Sequence, residues 1–361
     1  METKQKSPHN ETMKWLEASL LEALFIAVLL TAPVDAESVD RLDDHICPGS
    51  AYVASNNTNV WTFFKDRSGP LTPEMRYINN VWGYAYWHPF QVGQTLYFRG
   101  KMQPGTHLFE FNILAGAAVD TEGVGQTLLC MQFGYRPDWT GFIKLSSKKN
   151  GQWSNTVQID KSPLLPRQFF DLSIYAMEDR FEIRLNKKFL VEYTYQIGLD
   201  YFLYQNARKV DLDKVFIGGQ IFQMPYSAAF PDGRFNFLDS IMLQAVAEKD
   251  FSINIINARN DVALKFSVNF AEKCVIRNAK VAGQWGEREK NGTFPFTAGD
   301  EFELQIFNTP LFFTYFVNGK HLGTFIHRAK SAELYPIEYY STLEITGRVS
   351  LRHLSICKAK V

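Results

Sequence analysis

An internal repeat is the feature of this chain that most constrains its fold. The segment FFDLSIYAMEDRFEIRLNKKFLVEY at 169–193 matches EFELQIFNTPLFFTYFVNGKHLGTF at 301–325, with apolar positions aligned at a constant offset of 132 residues. The same offset carries Trp153 onto Trp285. A repeat of this length indicates a duplicated domain of about 135 residues, close to the common size of one domain.

The hydrophobic periodicity within each copy is that of β-strands. Residues 302–306 alternate apolar and polar side chains, as does a strand with one face in the core and one in water. Asn318-Gly319 lies between two apolar runs, and this pair readily adopts the positive φ angles of a tight hairpin. No long helical periodicity follows residue 37. We therefore predict an all-β fold of two tandem β-sandwiches.

Breaks in this pattern divide the chain into segments. Pro225, Pro231 and Gly233 interrupt it and predict a linker near 223–233. The predicted segments are a leader (1–36), an N-terminal extension of unclear fold (37–89), copy one (90–225) and copy two (226–361).

The N-terminus resembles a secretory signal peptide. Lys14 precedes an apolar run at 20–30, which is too short to span a bilayer, and small residues at 34–36 suit a cleavage site. Glu17 and Glu22 lie in or beside the run, so an amphipathic helical leader is the alternative. We predict a secreted protein without a transmembrane segment; the alternative is a cytoplasmic protein exported by a non-classical route.

Cysteines, sequons and charge narrow the function classes further. The cysteines are Cys47, Cys130, Cys274 and Cys357. None forms a CxxC pair, so no zinc site is predicted, and in a secreted chain they allow up to two disulfides in three connectivities.

The glycosylation sequons are at Asn10, Asn56 and Asn291. The 38 basic and 38 acidic residues balance, which argues against a nucleic-acid partner, and no cofactor is predicted.

Three motifs occur in copy two in the order found in a known family. They are RNAKVAGQWGEREKNGTFPF at 277–296, GDEFELQI at 299–306 and FVNGKHLGTFIHR at 316–328. Copy two thus resembles a galectin carbohydrate-recognition domain, and copy one shows the same skeleton in eroded form. The resemblance covers residues 90–361 and implies a tandem-repeat galectin with two jelly-roll sandwiches and a sugar across one concave sheet of each. It also implies glycan or glycoprotein partners, crosslinking through two domains, and no catalysis.

The resemblance implies a site that copy two retains only in part. In galectins a Trp ring packs on the apolar face of galactose, while His, Asn, Arg and Glu side chains bond its hydroxyl groups. Asn278 and Trp285 match this set. Lys265 stands where the family has His, and Arg288 where it has Glu. The other departures in copy two are Ser267 at the position of an Asn, and Asn269 and Lys290 at the positions of the two Arg residues.

Copy one retains still less of the set. Arg136 and Trp153 match it. The positions that depart are Gln132, Gly134, Ser146, Thr156 and Gln158. We therefore predict degenerate β-galactoside sites. The candidate carbohydrate-binding residues are Arg136, Trp153, Lys265, Asn278, Trp285 and Arg288.

The substitutions in copy two predict a basic ligand face. Lys265, Arg288 and Lys290, together with the nearby Arg277 and Lys280, would favour sulfated, sialylated or uronic-acid glycans. The alternative is a solvated charged strand in which Glu287 and Glu289 neutralise these cations.

Two other function classes compete with glycan binding. Glu287 and Glu289 share one face of a predicted strand and suggest a glycosidase pair, but basic neighbours would keep both ionised, whereas a general acid needs a raised pKa. We therefore predict no enzyme. The stronger rival is a protein-interaction scaffold built on folds that have lost sugar binding.

Overall fold

The computed structural model describes residues 51–53, 62–65, 75–78, 81–103, 105–116, 125–164, 168–199, 202–328 and 340–357. The predicted leader, Cys47 and the sequons at Asn10 and Asn56 lie outside these ranges. Residues Cys47–Val361 belong to one compact unit. Within the described ranges, no helix has the length and hydropathy needed to cross a membrane.

The predicted all-β class is confirmed, because strands dominate the described chain and one 3₁₀ turn lies at Pro231–Gly233. The extension and copy one contribute β1 (Ala51–Val53), β2 (Thr62–Lys65), β3 (Met75–Ile78), β4 (Val81–Pro89), β5 (Thr95–Met102), β6 (Leu108–Ala115), β7 (Gln126–Tyr135), β8 (Gly141–Lys149), β9 (Gln152–Trp153), β10 (Val157–Ile159), β11 (Phe169–Ala176), β12 (Arg180–Leu185), β13 (Lys188–Thr194), β14 (Phe202–Arg208) and β15 (Val210–Gly218). Copy two contributes β16 (Tyr226–Ala229), β17 (Ser240–Asn257), β18 (Val262–Asn269), β19 (Cys274–Val281), β20 (Gln284–Trp285), β21 (Glu301–Asn308), β22 (Phe312–Val317), β23 (Lys320–Ile326) and β24 (Tyr340–Cys357).

Copy one is a sandwich of two antiparallel sheets. One sheet has the order β10-β8-β7-β6-β14-β4-β3, with β9 on β8, and the other has the order β13-β12-β11-β5-β15-β2. The core between them is rich in phenylalanine; the Phe109 and Phe133 rings, for example, stack with centroids 4.8 Å apart. The phenylalanines of this core bury large apolar rings between the two sheets.

Copy two has the same two layers, but two 18-residue strands run through both. The first half of β17 pairs with β21 and the second half with β18, and β24 follows β17 along its length. The pairing shifts register between Ala247 and Phe251. Opposite this shift, Gly347 has a φ of 103°, and an added Cβ would lie 2.5 Å from the Asp250 carbonyl oxygen. Only glycine fits this position without strain.

The N-terminal extension adds strands to the sheets of both copies. β1 pairs with β24 of copy two, with Ala51 opposite Cys357, and β2 pairs with β15 of copy one. β3 pairs with β4, which in turn pairs with β14. The extension thus covers sheet edges whose backbone N–H and C=O groups would otherwise be unpaired.

A buried polar interface joins the two copies. Arg184 Nη1 on β12 donates to the Gly299 carbonyl at 2.9 Å, and the Glu301 backbone N–H donates to the Lys187 carbonyl at 2.9 Å. On the same strand as Glu301, Glu303 is only 7% exposed. The expectation of a wet face for residues 302–306 was therefore wrong, because that face of β21 is covered at the contact between the copies.

The cysteines divide into two kinds. Cys357, at the end of β24, is disulfide-bonded, whereas Cys130 and Cys274 carry thiols. In the part of the chain that the structure describes, no group of three His, Cys, Asp or Glu side chains is placed to hold a metal ion.

Candidate functional site

The candidate face of copy two is a polar row across three neighbouring strands. Asn254 on β17 lies opposite Lys265 on β18, which lies opposite Asn278 on β19. Asn254 Nδ2 also donates to Glu344 Oε2 on β24 at 2.7 Å. The sequence-predicted pair Lys265 and Asn278 is therefore brought together by strand register.

Trp285 lies at the end of this row on β20. Its side chain is 49% exposed, so the ring is available to a ligand, as its Gly and charged neighbours predict. Lys265 Nζ lies 5.2 Å from the centroid of the ring, a cation–π contact. The structure thus combines an exposed aromatic platform with an ammonium group at its face.

The turn before Trp285 is held by one carboxylate. Asp261 accepts hydrogen bonds from the Ala282 and Gly283 backbone N–H groups at 2.9 and 3.0 Å. Both hydrogen bonds lower the pKa of Asp261, and the bond from Gly283 has the largest effect. The positive charge of Lys280 lowers it further by a smaller amount. Because both turn residues have positive φ angles, the carboxylate stabilises an otherwise unfavourable backbone.

Asn278 belongs to a network that includes Arg328. Arg328 Nη1 donates to Asn278 Oδ1 at 3.0 Å, and Arg328 Nη2 donates to Glu289 Oε1 at 2.9 Å. Asn278 is only 6% exposed. Its carboxamide is thus already engaged within the protein.

The basic residues predicted for this face are dispersed. Arg288 is exposed, but Lys290 forms an ion pair with Glu272 at 2.5 Å, and the hydrogen bond between them raises the pKa of the Lys290 ammonium. Arg277 is 4% exposed and donates to the Val275 carbonyl at 3.0 Å. The prediction that Arg277 contributes to a basic face was wrong, because this residue lies on the core side of β19.

The two glutamates considered for hydrolysis occupy different environments. Glu289 Oε1 is held by Arg328, and its backbone pairs with that of Arg277 through hydrogen bonds of 2.9 Å in both directions. Glu287 is exposed. The sequence suggested Glu287 and Glu289 as partners for the cations of this face. In the structure Glu289 pairs with Arg328, and Lys290 pairs with Glu272.

In copy one, a phenylalanine covers the floor of the corresponding face. A Cβ added to Gly134 on β7 would lie 2.1 Å from Phe142 Cζ on β8, so the ring lies directly on the glycine. The guanidinium carbon of Arg136 and the Nζ of Lys144 lie 5.6 and 5.3 Å from the centroid of that ring. Replacing the family's Asn by Gly134 thus leaves space that Phe142 occupies.

The two candidate residues of copy one lie apart in the structure. Arg136 is at the hairpin after β7, where Nη2 is 3.6 Å from Asp160 Oδ1. Trp153 on β9 is 55% exposed, with Lys148 Nζ 5.7 Å from its ring centroid. Both copies therefore present an exposed Trp with a lysine at its face.

In copy one, the Glu110 carboxylate is bonded by three neighbouring polar side chains. Glu110 on β6 accepts from Asn112 Nδ2 and Gln132 Nε2, each at 3.2 Å, and pairs with Arg208 Nε at 3.2 Å. This side chain is saturated by its neighbours, and no sequence motif had indicated it.

Arg328 and Asp261 are the site residues that the sequence reasoning missed. Arg328 closes the FIHR motif, which supported the family resemblance, but the motif assigned it no role. A side chain 50 residues from Asn278 along the chain becomes a partner only when the sheets assemble.

Comparison with known proteins agrees with this architecture. Residues 84–215 and 225–356 each match the family model described as galactoside-binding lectin. The chain is similar to a 32 kDa beta-galactoside-binding lectin of Haemonchus contortus, with 30% identity over 261 residues, covering 71% of this chain and 90% of that protein. It is also similar to galectin-4 of Sus scrofa, with 24% identity over 309 residues, covering 74% and 92%.

Among solved structures, galectin LEC-6 of Caenorhabditis elegans is 22% identical, with a TM-score of 0.34, and covers 38% of this chain and 94% of that one. The two family matches together span well over half of the chain, one in each copy. The chain therefore belongs to the galactoside-binding lectins, as a tandem-repeat galectin.

Proposed function

We propose that this protein is a carbohydrate-binding lectin that recognises glycans or glycoproteins, without catalysis, chiefly through copy two. The observation that carries the proposal is the half-exposed Trp285 ring at the end of the Asn254–Lys265–Asn278 row. An exposed aromatic ring beside polar groups suits a pyranose, because its C–H face is apolar and its rim carries hydroxyl groups.

The preferred ligand in this proposal is an anionic glycan. Among the described residues Lys265 pairs with no carboxylate, so its ammonium over Trp285 is available for a sulfate or carboxylate. Arg288 adds a second exposed cation beside the platform. A neutral β-galactoside would find Lys265 where the family supplies His, and Asn278 already bonded to Arg328.

Glycan-array binding of the full chain tests both statements. We expect retention of sulfated or sialylated galactosides at low salt, weaker retention of the neutral sugars, and loss of binding in Trp285→Ala. Trp153→Ala is the matched control, because it removes the equivalent exposed ring from copy one. An array without binding to any anionic or neutral glycan would contradict the proposal.

A second candidate function is favoured for copy one. Phe142 lies on Gly134, and Glu110 is saturated by neighbouring side chains, so this face has little left to bond a sugar. In this second proposal, copy one acts as a protein-interaction scaffold and does not bind a sugar. If Trp153→Ala abolished glycan capture while Trp285→Ala did not, this division between the copies would be reversed.

We further propose that the protein is secreted. The disulfide at Cys357 supports this, because disulfides persist in oxidising compartments. The exposed Asn291 lies in a sequon. A glycan attached there would lie on the segment just after β20, the strand that carries Trp285. Mass spectrometry of the protein from culture medium would show the cleaved N-terminus and any Asn291 glycan; its recovery only from cytosol, without the disulfide, would contradict secretion.

A further inference from the structure

We propose that Arg328 is the positioning residue of the copy-two site, holding the segment that carries Trp285 in its ligand-ready place. The inference rests on the proposed glycan binding by copy two and names the side chain on which that binding depends. Arg328 acts through its neighbours and does not itself contact the ligand.

Arg328 ties together segments on both sides of Trp285. Its Nη1 reaches Asn278 on β19 at 3.0 Å, and its Nη2 reaches Glu289, beyond β20, at 2.9 Å. Arg328 itself follows β23 on a different part of the chain. One planar guanidinium therefore fixes the spacing between β19 and the segment after Trp285.

Gly286, which directly follows Trp285, is a further point of contact for Arg328. A Cβ there would lie 2.4 Å from Arg328 Nη1, so the guanidinium lies against the glycine backbone. The Gly286 N–H bonds the Ala279 carbonyl at 2.9 Å, which extends the β19–β20 pairing beyond Trp285. The guanidinium therefore packs against the backbone of the residue that directly follows Trp285.

Contacts within the protein also hold the Arg328 guanidinium in place. The Arg328 guanidinium carbon lies 4.8 Å from the centroid of Phe325, a ring that is 1% exposed. The Arg328 side chain is 22% exposed. A charged fork packed on a core ring and bonded at both ends is preorganised, so ligand binding need not order it.

The two residues at arginine positions of the family have other partners in this chain. Lys290 pairs with Glu272, and Asn269 Oδ1 accepts the Glu272 backbone N–H at 2.7 Å. Neither residue replaces the bonds that Arg328 makes to Asn278 and Glu289. Glu289 therefore pairs with Arg328 and not with Lys290.

Fluorine NMR of the full chain labelled with 5-fluorotryptophan tests the inference. The chain has 7 Trp, and the signals of Trp285 and Trp153 are assigned by their loss in Trp285→Phe and Trp153→Phe. We expect Arg328→Gln to shift the Trp285 signal and leave that of Trp153 in place. Glu289→Gln should have the same effect, which keeps the test valid if Arg328→Gln folds poorly. Arg328→Lys should behave like the Gln variant, because an ammonium cannot make the two-pronged contact.

Lys320→Gln is the matched control, since Lys320 is an exposed cation on the neighbouring edge strand β23 and should shift neither signal. In parallel, binding of 3-O-sulfated N-acetyllactosamine should weaken about tenfold in Arg328→Gln. An unmoved Trp285 signal in both the Arg328 and Glu289 variants would overturn the inference. If the unsubstituted protein fails to bind the sugar, the proposed function fails, and the Trp285 shift alone decides the role of Arg328.

Discussion

Arg352 of copy two donates hydrogen bonds to both carboxylate oxygens of Glu182 of copy one, at 3.0 and 3.1 Å. Both residues are 8% exposed, and Arg184 adds a third hydrogen bond to the same carboxylate at 2.7 Å. The two copies therefore meet through charged groups that are removed from water. Removing Arg352 would leave the buried Glu182 carboxylate with the hydrogen bond from Arg184.

Arg352→Met should lower the free energy of unfolding by about 2 kcal/mol, because the buried Glu182 carboxylate loses two hydrogen bonds and keeps the one from Arg184. Urea unfolding followed by circular dichroism measures this. Arg348→Gln is the control, since its pair with Glu248 at 3.4 Å is exposed, and its loss should cost less than about 1 kcal/mol. Equal effects of the two variants would mean that the interface contributes nothing through Arg352.

Stability should also depend on pH through Glu301. Burial raises the pKa of Glu301 from 4.5 to about 7, partly offset by the charges of Arg184, Lys187 and Arg352. Between these values the folded protein holds a proton that the unfolded chain has released. The contribution is fully present below about pH 4.5 and is lost as the pH rises through about 7. Thermal unfolding of Glu301→Gln should lack this decline, whereas Glu248→Gln should retain it; a decline unchanged in Glu301→Gln would exclude this residue as its origin.

Lys265→Gln should weaken binding of sulfated galactosides about tenfold and leave neutral galactosides nearly unchanged, because only the charge-assisted contact is lost. The salt dependence of binding should fall in the same variant. Lys290→Gln is the matched control, since Lys290 already pairs with Glu272. Isothermal titration at two salt concentrations measures both effects. A larger loss of affinity in the Lys290 variant would indicate that the anion binds beside Lys290 and not over Trp285.

Gly347→Ala should destabilise copy two by about 3 kcal/mol, since it combines a positive φ with a backbone clash at Asp250. Gly299→Ala is the control: its φ of 82° carries the same conformational cost, but nothing lies within 4 Å of an added Cβ. That cost alone is about 1 kcal/mol. Thermal unfolding distinguishes the variants. Similar losses of stability would show that the register shift opposite Gly347 tolerates a side chain.

Much of the fold followed from local pattern. Alternating polarity around residues 302–306 and the Asn318-Gly319 turn predicted strands and a hairpin, and the structure places β21, β22 and β23 there. The burial of Glu303 was not predicted, because a period of two identifies the two faces of a strand but not what covers each face. Only the packing of copy one against β21 decides that.

The candidate site was predictable only where its residues are close in sequence. Asn278 and Trp285 are seven positions apart in one motif, and their relation survives in the β19–β20 pairing. Arg277 was misassigned, although it directly precedes Asn278 and successive residues of a strand project to opposite faces. Its guanidinium carbon lies 6.0 Å from the centroid of the buried Tyr315 ring. Arg328 had no assigned role, because its partners belong to other strands.

The sequence by itself determined the duplication, the β class, the family and the two matching tryptophans, since these depend on spacing and on side-chain type. The tertiary structure decided which charges stay exposed and which hold the protein together. Lys265 lies over Trp285, Lys290 pairs with Glu272, and Arg328 supports Asn278. Charged side chains choose partners by distance and burial, and both quantities exist only after the strands have paired and the sheets have packed.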